Sequence, residues 1–347
     1  MKHLSNLLNI THPIVQAPML GITTPAMVAA VSNAGALGSL PVGGLSPERT
    51  RELIRATKSL TNRPFAVNLF AHEPAPEINK AEIELMQDFL AGICAEYSIP
   101  YQRQDADAFK FYYYEDLIDV LLEENIPIVS VTFGQLKPDV ISALKQNNVK
   151  LIGTATGVAE AKILAQSGVD AITVQGIEAG GHRGSFLPES DLPQVGLFSL
   201  LPQVAGEVDL PLLAAGGIYD ARTVKAAFAL GTAGVQVGSI FIIADESAAS
   251  EAYKQAVLNS TDTSTALTRA FSGKWARGIQ NEFMQRMQAS GLPIPYYTIQ
   301  NQLMSSIRAH AQKHNIKDFI ALWAGQSAGK SVRASTHQII TALINML

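Results

Sequence analysis

The chain is short of cysteine and short of charge, and each shortage excludes something. Its single cysteine, Cys94, rules out an intramolecular disulfide and a cysteine-ligated metal cluster. Only 16% of its 347 residues are charged, with a formal charge of -4 and a sequence pI near 6.0. There is no basic excess to neutralise phosphates, so no nucleic-acid or anionic-membrane surface is expected. No stretch approaches the roughly 20 uninterrupted apolar residues that span a bilayer. The opening residues, Met1 to Leu7, lack an apolar run followed by a small-residue cleavage site. The expectation is a soluble, cytoplasmic protein with a small-molecule partner.

Apolar residues and glycine are plentiful: 47% of the chain is hydrophobic and it holds 26 glycines. Eight short aliphatic or β-branched runs recur: Ile14–Ala17, Ala36–Leu40, Phe65–Leu69, Ile128–Thr132, Lys150–Gly153, Ala171–Gln175, Leu212–Ala215 and Gly234–Val237. Runs apolar on both faces fit parallel strands covered by helices. Helix punctuation falls between them. Thr24-Pro25 and Ser46-Pro47 are start signals, Gly35 and Gly168 are stops, and Asp220 opens a helix that Gly231 closes. Eight runs favour closure into a (β/α)8 TIM barrel over an open sheet, and the first turn, Met19 to Thr23, lacks the Gly-x-Gly-x-x-Gly of a dinucleotide fold. A helical insertion is expected at 71–125, with helical spacing over 78–90, and a mostly helical tail after the eighth run. Within that tail, 300–314 and 317–323 read as helix, and 280–347 as a C-terminal extension over the barrel. The whole chain reads as one domain.

The seventh and eighth runs end in Gly216-Gly217 and Gly238-Ser239, about 22 residues apart. In barrel enzymes these two loops often bind phosphate through backbone N–H groups, which glycine leaves unobstructed. After the sixth run comes Gln175-Gly176-Ile177-Glu178-Ala179-Gly180-Gly181-His182-Arg183-Gly184, with four glycines in ten residues. Such a loop can lie against a flat ligand. His182 sits on it at the face where barrels place catalytic groups, with a titration range suited to proton abstraction. Arg183 beside it is expected to favour the neutral ring, or to anchor an anion or a carboxylate of the same loop. His3, His12, His310, His314 and His337 read as structural or solvated. No carboxylate triad, Walker loop or Gly-x-Ser-x-Gly elbow appears, and no metal ligands are assigned.

These residues resemble the nitronate monooxygenase family, formerly called 2-nitropropane dioxygenases. The resemblance runs from Pro13-Ile14-Val15-Gln16-Ala17-Pro18-Met19 to Trp323-Ala324-Gly325-Gln326. Its most specific parts are Glu178–Gly184 and Arg269-Ala270-Phe271-Ser272-Gly273-Lys274-Trp275-Ala276-Arg277-Gly278. It implies bound FMN, with Ala17, Pro18 and Met19 beside the isoalloxazine and Asn68 and Gln175 bonded to its edge or ribityl chain. Gly180 and Gly181 would line the flavin, Gly216, Gly217, Gly238 and Ser239 would take its phosphate, and Gln326 would lie near it. The implied reaction is oxidation of alkyl nitronates, typically propionate 3-nitronate, by O2 to a carbonyl compound and nitrite. His182 would be the base for neutral nitroalkanes. Ser130, Thr132 and Gly134 are expected on the substrate side, the insertion as a lid, and an aromatic from Pro293–Tyr297 over the pocket. Lys274 stands where the family pattern has arginine. The alternative on the same scaffold is an NAD(P)H-dependent FMN reductase acting on an enoyl thioester or quinone.

Overall fold

A computed structural model of the chain describes residues 2–74, 79–187 and 192–344. Eight parallel strands form one sheet: β1 (Ile14–Gln16), β2 (Ser39–Pro41), β3 (Ala66–Phe70), β4 (Ile128–Thr132), β5 (Lys150–Ala155), β6 (Ala171–Gln175), β8 (Leu212–Ala215) and β9 (Gly234–Val237). Each overlaps one of the eight apolar runs, β2 starting three residues later than the run Ala36–Leu40. The sheet order β1-β9-β8-β6-β5-β4-β3-β2 closes through a parallel bridge between Val15 and Leu37, giving a (β/α)8 barrel. Thr24, Ser46 and Asp220 cap the N-termini of the helices that follow them, accepting from Met27, Arg49 and Thr223 backbone N–H groups at 3.1, 3.3 and 2.9 Å.

Leu4 and Leu8 of the first helix (Lys2–Leu8) cluster with Val15, Ala66, Ile128 and Ala171, so this helix plugs the N-terminal end of the barrel. The opposite end carries a second core. Ile83, Met86, Leu90 and Ile93 of the helix Lys80–Glu96 pack with Phe271, Phe283, Leu303 and Phe319 of the tail. Helical spacing was expected over 78–90. The helix begins at Lys80, and Ile78 lies outside the described residues. Among the described residues no helix is long and apolar enough to cross a membrane.

The tail differs from a mostly helical reading in three ways. Thr265–Thr268 (β10) and Ala276–Ile279 (β11) form an antiparallel hairpin, and β11 also pairs with the two-residue strand β7 (Gly181–His182). Residues 317–323 hold only a 3-10 turn, Lys317–Phe319; beyond it the chain runs alongside β11, with Ile279 N–H donating to Leu322 O at 2.8 Å. That edge contact satisfies backbone groups a helix would have satisfied internally. The last helix, Thr336–Ile344, does not lie over the barrel mouth. Ile339, Ile340 and Leu343 join the main core, and the helix packs against Pro25–Asn33 and Ala221–Ala229, filling the eighth place in the outer ring.

Candidate active site

A cavity of about 560 Å³ opens at the C-terminal ends of the strands. All eight barrel strands reach it, through residues at their ends or just beyond, such as Ala17, Gly43, Phe70, Thr132, Thr154 and Gln175. The insertion and the tail supply its far walls, including Tyr112, Tyr297, Arg308 and Trp323.

The loop after β6 is held from three sides. Arg277 on β11 donates through Nε to Ile177 O at 2.9 Å. Glu178 accepts from Leu197 N–H at 2.9 Å, tying the loop to the start of the helix Leu197–Ala205. Gln326 N–H donates to Glu178 O at 3.1 Å, and the neighbouring Gly325 N–H donates to Ser239 Oγ at 2.9 Å. The segment 325–326 therefore staples the loops after β6 and β9 together. A Cβ on Gly180 would lie 2.4 Å from Gly325 N, so only glycine permits this approach.

His182 is placed by the β7–β11 pairing, opposite Ala276. Its Nε2 lies 2.8 Å from Ser272 Oγ, and that hydroxyl is also 3.2 Å from Lys274 O. When Ser272 donates to Lys274 O, Nε2–H donates to Ser272, and Nδ1 carries the free lone pair. Nδ1 has no hydrogen-bond partner among the described residues. The ring is walled by Phe133, Trp323 and Tyr297, with centroids at 5.6, 5.5 and 5.9 Å. Burial, and then the charges of Lys274 and Arg308, push its pKa down to about 3. The imidazole is therefore neutral at neutral pH.

The cations responsible are not the one expected. Arg183 is fully buried and donates to Gly176 O at 2.6 Å and Gln175 O at 3.0 Å, so its guanidinium ties the loop to the end of β6. Lys274 instead reaches the site, its Nζ 4.6 Å from the Phe133 ring centroid, and burial lowers its pKa.

The remaining expected positions divide. Ala17, Pro18, Met19, Asn68, Gln175, Gly180, Gly181, Gly216, Gly217, Gly238 and Ser239 all line the cavity with His182. Gln175 is bound to its own loop, donating to His182 O at 3.0 Å and accepting from Gly184 N–H at 2.8 Å. Asn68 donates to Ser130 Oγ at 3.0 Å, leaving its amide oxygen without a partner among the described residues. Gln326 is exposed and does not line the cavity; only its backbone is engaged there. Thr132 lines the cavity, whereas Ser130 and Gly134 do not. Tyr297 supplies the expected aromatic, and of the consecutive tyrosines Tyr112, Tyr113 and Tyr114 in the insertion, Tyr112 reaches the wall.

Sequence reasoning passed over His72, Phe133, Ser272 and Arg308. His72 is buried against Tyr297 at 4.9 Å and Tyr113 at 5.5 Å, with its pKa lowered chiefly by burial. Phe133 adopts φ of 75°, an unusual left-handed conformation for an aromatic residue, at the mouth of β4. Sequence reasoning also passed over the His-x-x-x-His spacing of His310 and His314, whose rings stack at 4.2 Å on one helix. Among the described residues no third His, Cys, Asp or Glu joins them as a metal site.

A closed barrel with a glycine-walled pocket at its C-terminal face and a neutral, anchored histidine on the wall defines an enzyme of the TIM-barrel class. Comparison with known proteins gives the family: residues 1–345 match the model described as nitronate monooxygenase, and the chain belongs to that oxidoreductase family. It is 41% identical to a probable nitronate monooxygenase of Staphylococcus aureus (strain Newman), with all of this chain and 97% of that protein covered. Its fold is similar to that of a nitroalkane oxidase from Streptomyces ansochromogenes, at 35% identity and a TM-score of 0.91, covering 99% of this chain and 97% of the other. FabK from Thermotoga maritima is less similar, at 28% identity and a TM-score of 0.77, covering 99% and 95%.

Proposed function

We propose that this protein binds FMN and oxidises alkyl nitronates with molecular oxygen to a carbonyl compound and nitrite. The observation that carries the reading is His182: neutral, fixed through Nε2 by Ser272, and flanked by the cations Lys274 and Arg308 on a glycine-walled cavity.

The residues present suit a flavin nucleotide. A Cβ on Gly181 would meet nothing within 4 Å, and one on Gly217 only Glu178 Cβ at 3.9 Å. Side chains there would occupy space beside the backbone that a flat ligand needs. Gly216, Gly217, Gly238 and Ser239 would hold the phosphate, and the Ser239 hydroxyl keeps its proton for an anion because it accepts from Gly325 N–H. Asn68 offers an amide oxygen to the ring edge, and Ala17, Pro18 and Met19 an apolar bed. Gln175 would act indirectly, by fixing the loop that carries His182. Bound FMN supplies the electron transfer between nitronate and oxygen.

The chain's part is binding, orientation and one proton. An anionic nitronate is drawn to a site whose wall carries Arg308, with Lys274 behind Phe133. His182 would hydrogen-bond it and exclude water together with the aromatic wall. For a neutral nitroalkane, His182 Nδ1 would have to take up the α-proton and become a cation beside two others. That step is costly, so nitronates are the preferred form.

The test uses FMN-loaded wild type and His182→Ala, with nitrite release measured from nitroethane and from preformed ethyl nitronate. The variant is expected to lose roughly 10²- to 10⁴-fold on nitroethane and clearly less on the nitronate. Equal losses on both, or none on nitroethane, would remove the proton-accepting role. The alternative on the same scaffold is an NAD(P)H-dependent FMN reductase. Rapid anaerobic bleaching of the flavin by NADH, with no nitrite from any nitronate, would establish that alternative instead.

A further inference from the structure

Arg308 lies on the helix Ser305–His314, and its guanidinium is surrounded by protein while one side opens on the cavity. Nη2 donates to Asn301 O and Asn301 Oδ1, both at 2.9 Å, and Nε donates to Met304 O at 3.4 Å. These bonds fix the plane of the group and leave Nη1 without a partner among the described residues. Among the described residues no carboxylate pairs with it, whereas Arg51, Arg103 and Arg286 on the surface are each paired with acids. An enclosed cation without a counter-charge is unfavourable unless a ligand brings the anion.

Two anions could enter the cavity, a flavin phosphate or a group on the substrate. The position of Arg308 separates them. Its tether, Asn301, follows Tyr297 within a few residues, and the Tyr297 ring stands 5.9 Å from His182. The glycine loops suited to phosphate, at Gly216 and Gly238, follow β8 and β9, and neither is among the hydrogen-bond partners of Arg308 in the described residues. The Tyr297 hydroxyl, with no partner among the described residues, is a second donor on the same segment.

We propose that Arg308 is a specificity-determining residue that binds a carboxylate at the end of the substrate remote from its nitronate carbon, with Tyr297 as a second donor. A planar guanidinium held by its own helix, with one nitrogen free, suits a planar carboxylate better than a point charge would. The inference rests on the nitronate reading and adds to it which residue reads the rest of the molecule.

The test compares FMN-loaded wild type, Arg308→Met and Arg308→Lys on two nitronates of equal chain length, one prepared from 1-nitropropane and one from 3-nitropropanoate. Wild type is expected to favour the carboxylated substrate through KM. In Arg308→Met the ratio of the two kcat/KM values should fall about 10- to 100-fold, with Arg308→Lys in between. Calorimetric titration with succinate, which needs no turnover, should show binding to wild type and its loss in Arg308→Met. An unchanged ratio, unchanged succinate binding, or loss of FMN from the variants would overturn the proposal, the last by making Arg308 a cofactor anchor. If wild type oxidises neither nitronate, the functional reading fails, and the succinate titration still decides whether Arg308 holds a carboxylate.

Discussion

The ring of His182 is only half-buried by accessible surface, because one side faces the cavity, yet protein encloses it everywhere else. Its pKa of about 3 lies below the ordinary value of 6.5, so the unfolded chain binds a proton between these values and the folded chain does not. Stability from burying the neutral ring is complete above about pH 6.5 and is lost as pH falls toward 3. In the FMN-free protein, denaturant titrations should show a slope of up to about 1.4 kcal/mol per pH unit in this window, reduced in His182→Gln. An identical slope in the variant would place the ring in solvent. His182 and the glycines were legible because each lies in a short contiguous motif on a strand end. Ser272 and Arg308 were not, because the fold brings them to His182 from 90 or more residues away. Arg183 follows β7, and its guanidinium turns back onto Gly176 O and Gln175 O, a partnership that adjacency to His182 in sequence does not reveal.

At the scale of elements, the eight barrel strands were readable because they are buried on both faces, so apolar runs mark them directly. The hairpin β10–β11 was not. Its first strand, Thr265–Thr268, is half-buried, and the partner β7 is two residues long, so neither carries a periodic signal. The last helix looked like part of an extension because some 100 residues separate it from β9, although it completes the outer ring. Its buried Ile339, Ile340 and Leu343 should together contribute about 5–9 kcal/mol, comparable with the whole stability of a domain. Truncation after Ser335 is therefore expected to leave a chain that no longer unfolds cooperatively in a thermal scan. A truncated chain melting within a few degrees of the full one would show the ring stable without it.

Across the whole molecule, the -4 net charge and the cationic cavity have opposite signs. Attraction for an anion is thus local to the pocket, where Arg308 lines the wall and Lys274 stands behind Phe133. The fold class and the paired glycine loops on the cavity wall followed from composition and spacing, whereas the charges around the pocket followed only from the folded chain. The central claim is that the Gly216-Gly217 and Gly238-Ser239 loops hold a flavin by its phosphate beside His182. Titration of the cofactor-free protein with FMN and with riboflavin, followed by quenching of flavin fluorescence, tests it most directly. The account predicts saturable one-to-one binding of FMN and binding of riboflavin weaker by about a hundredfold or more; equal affinity for the two, or no saturable binding of FMN, would contradict it.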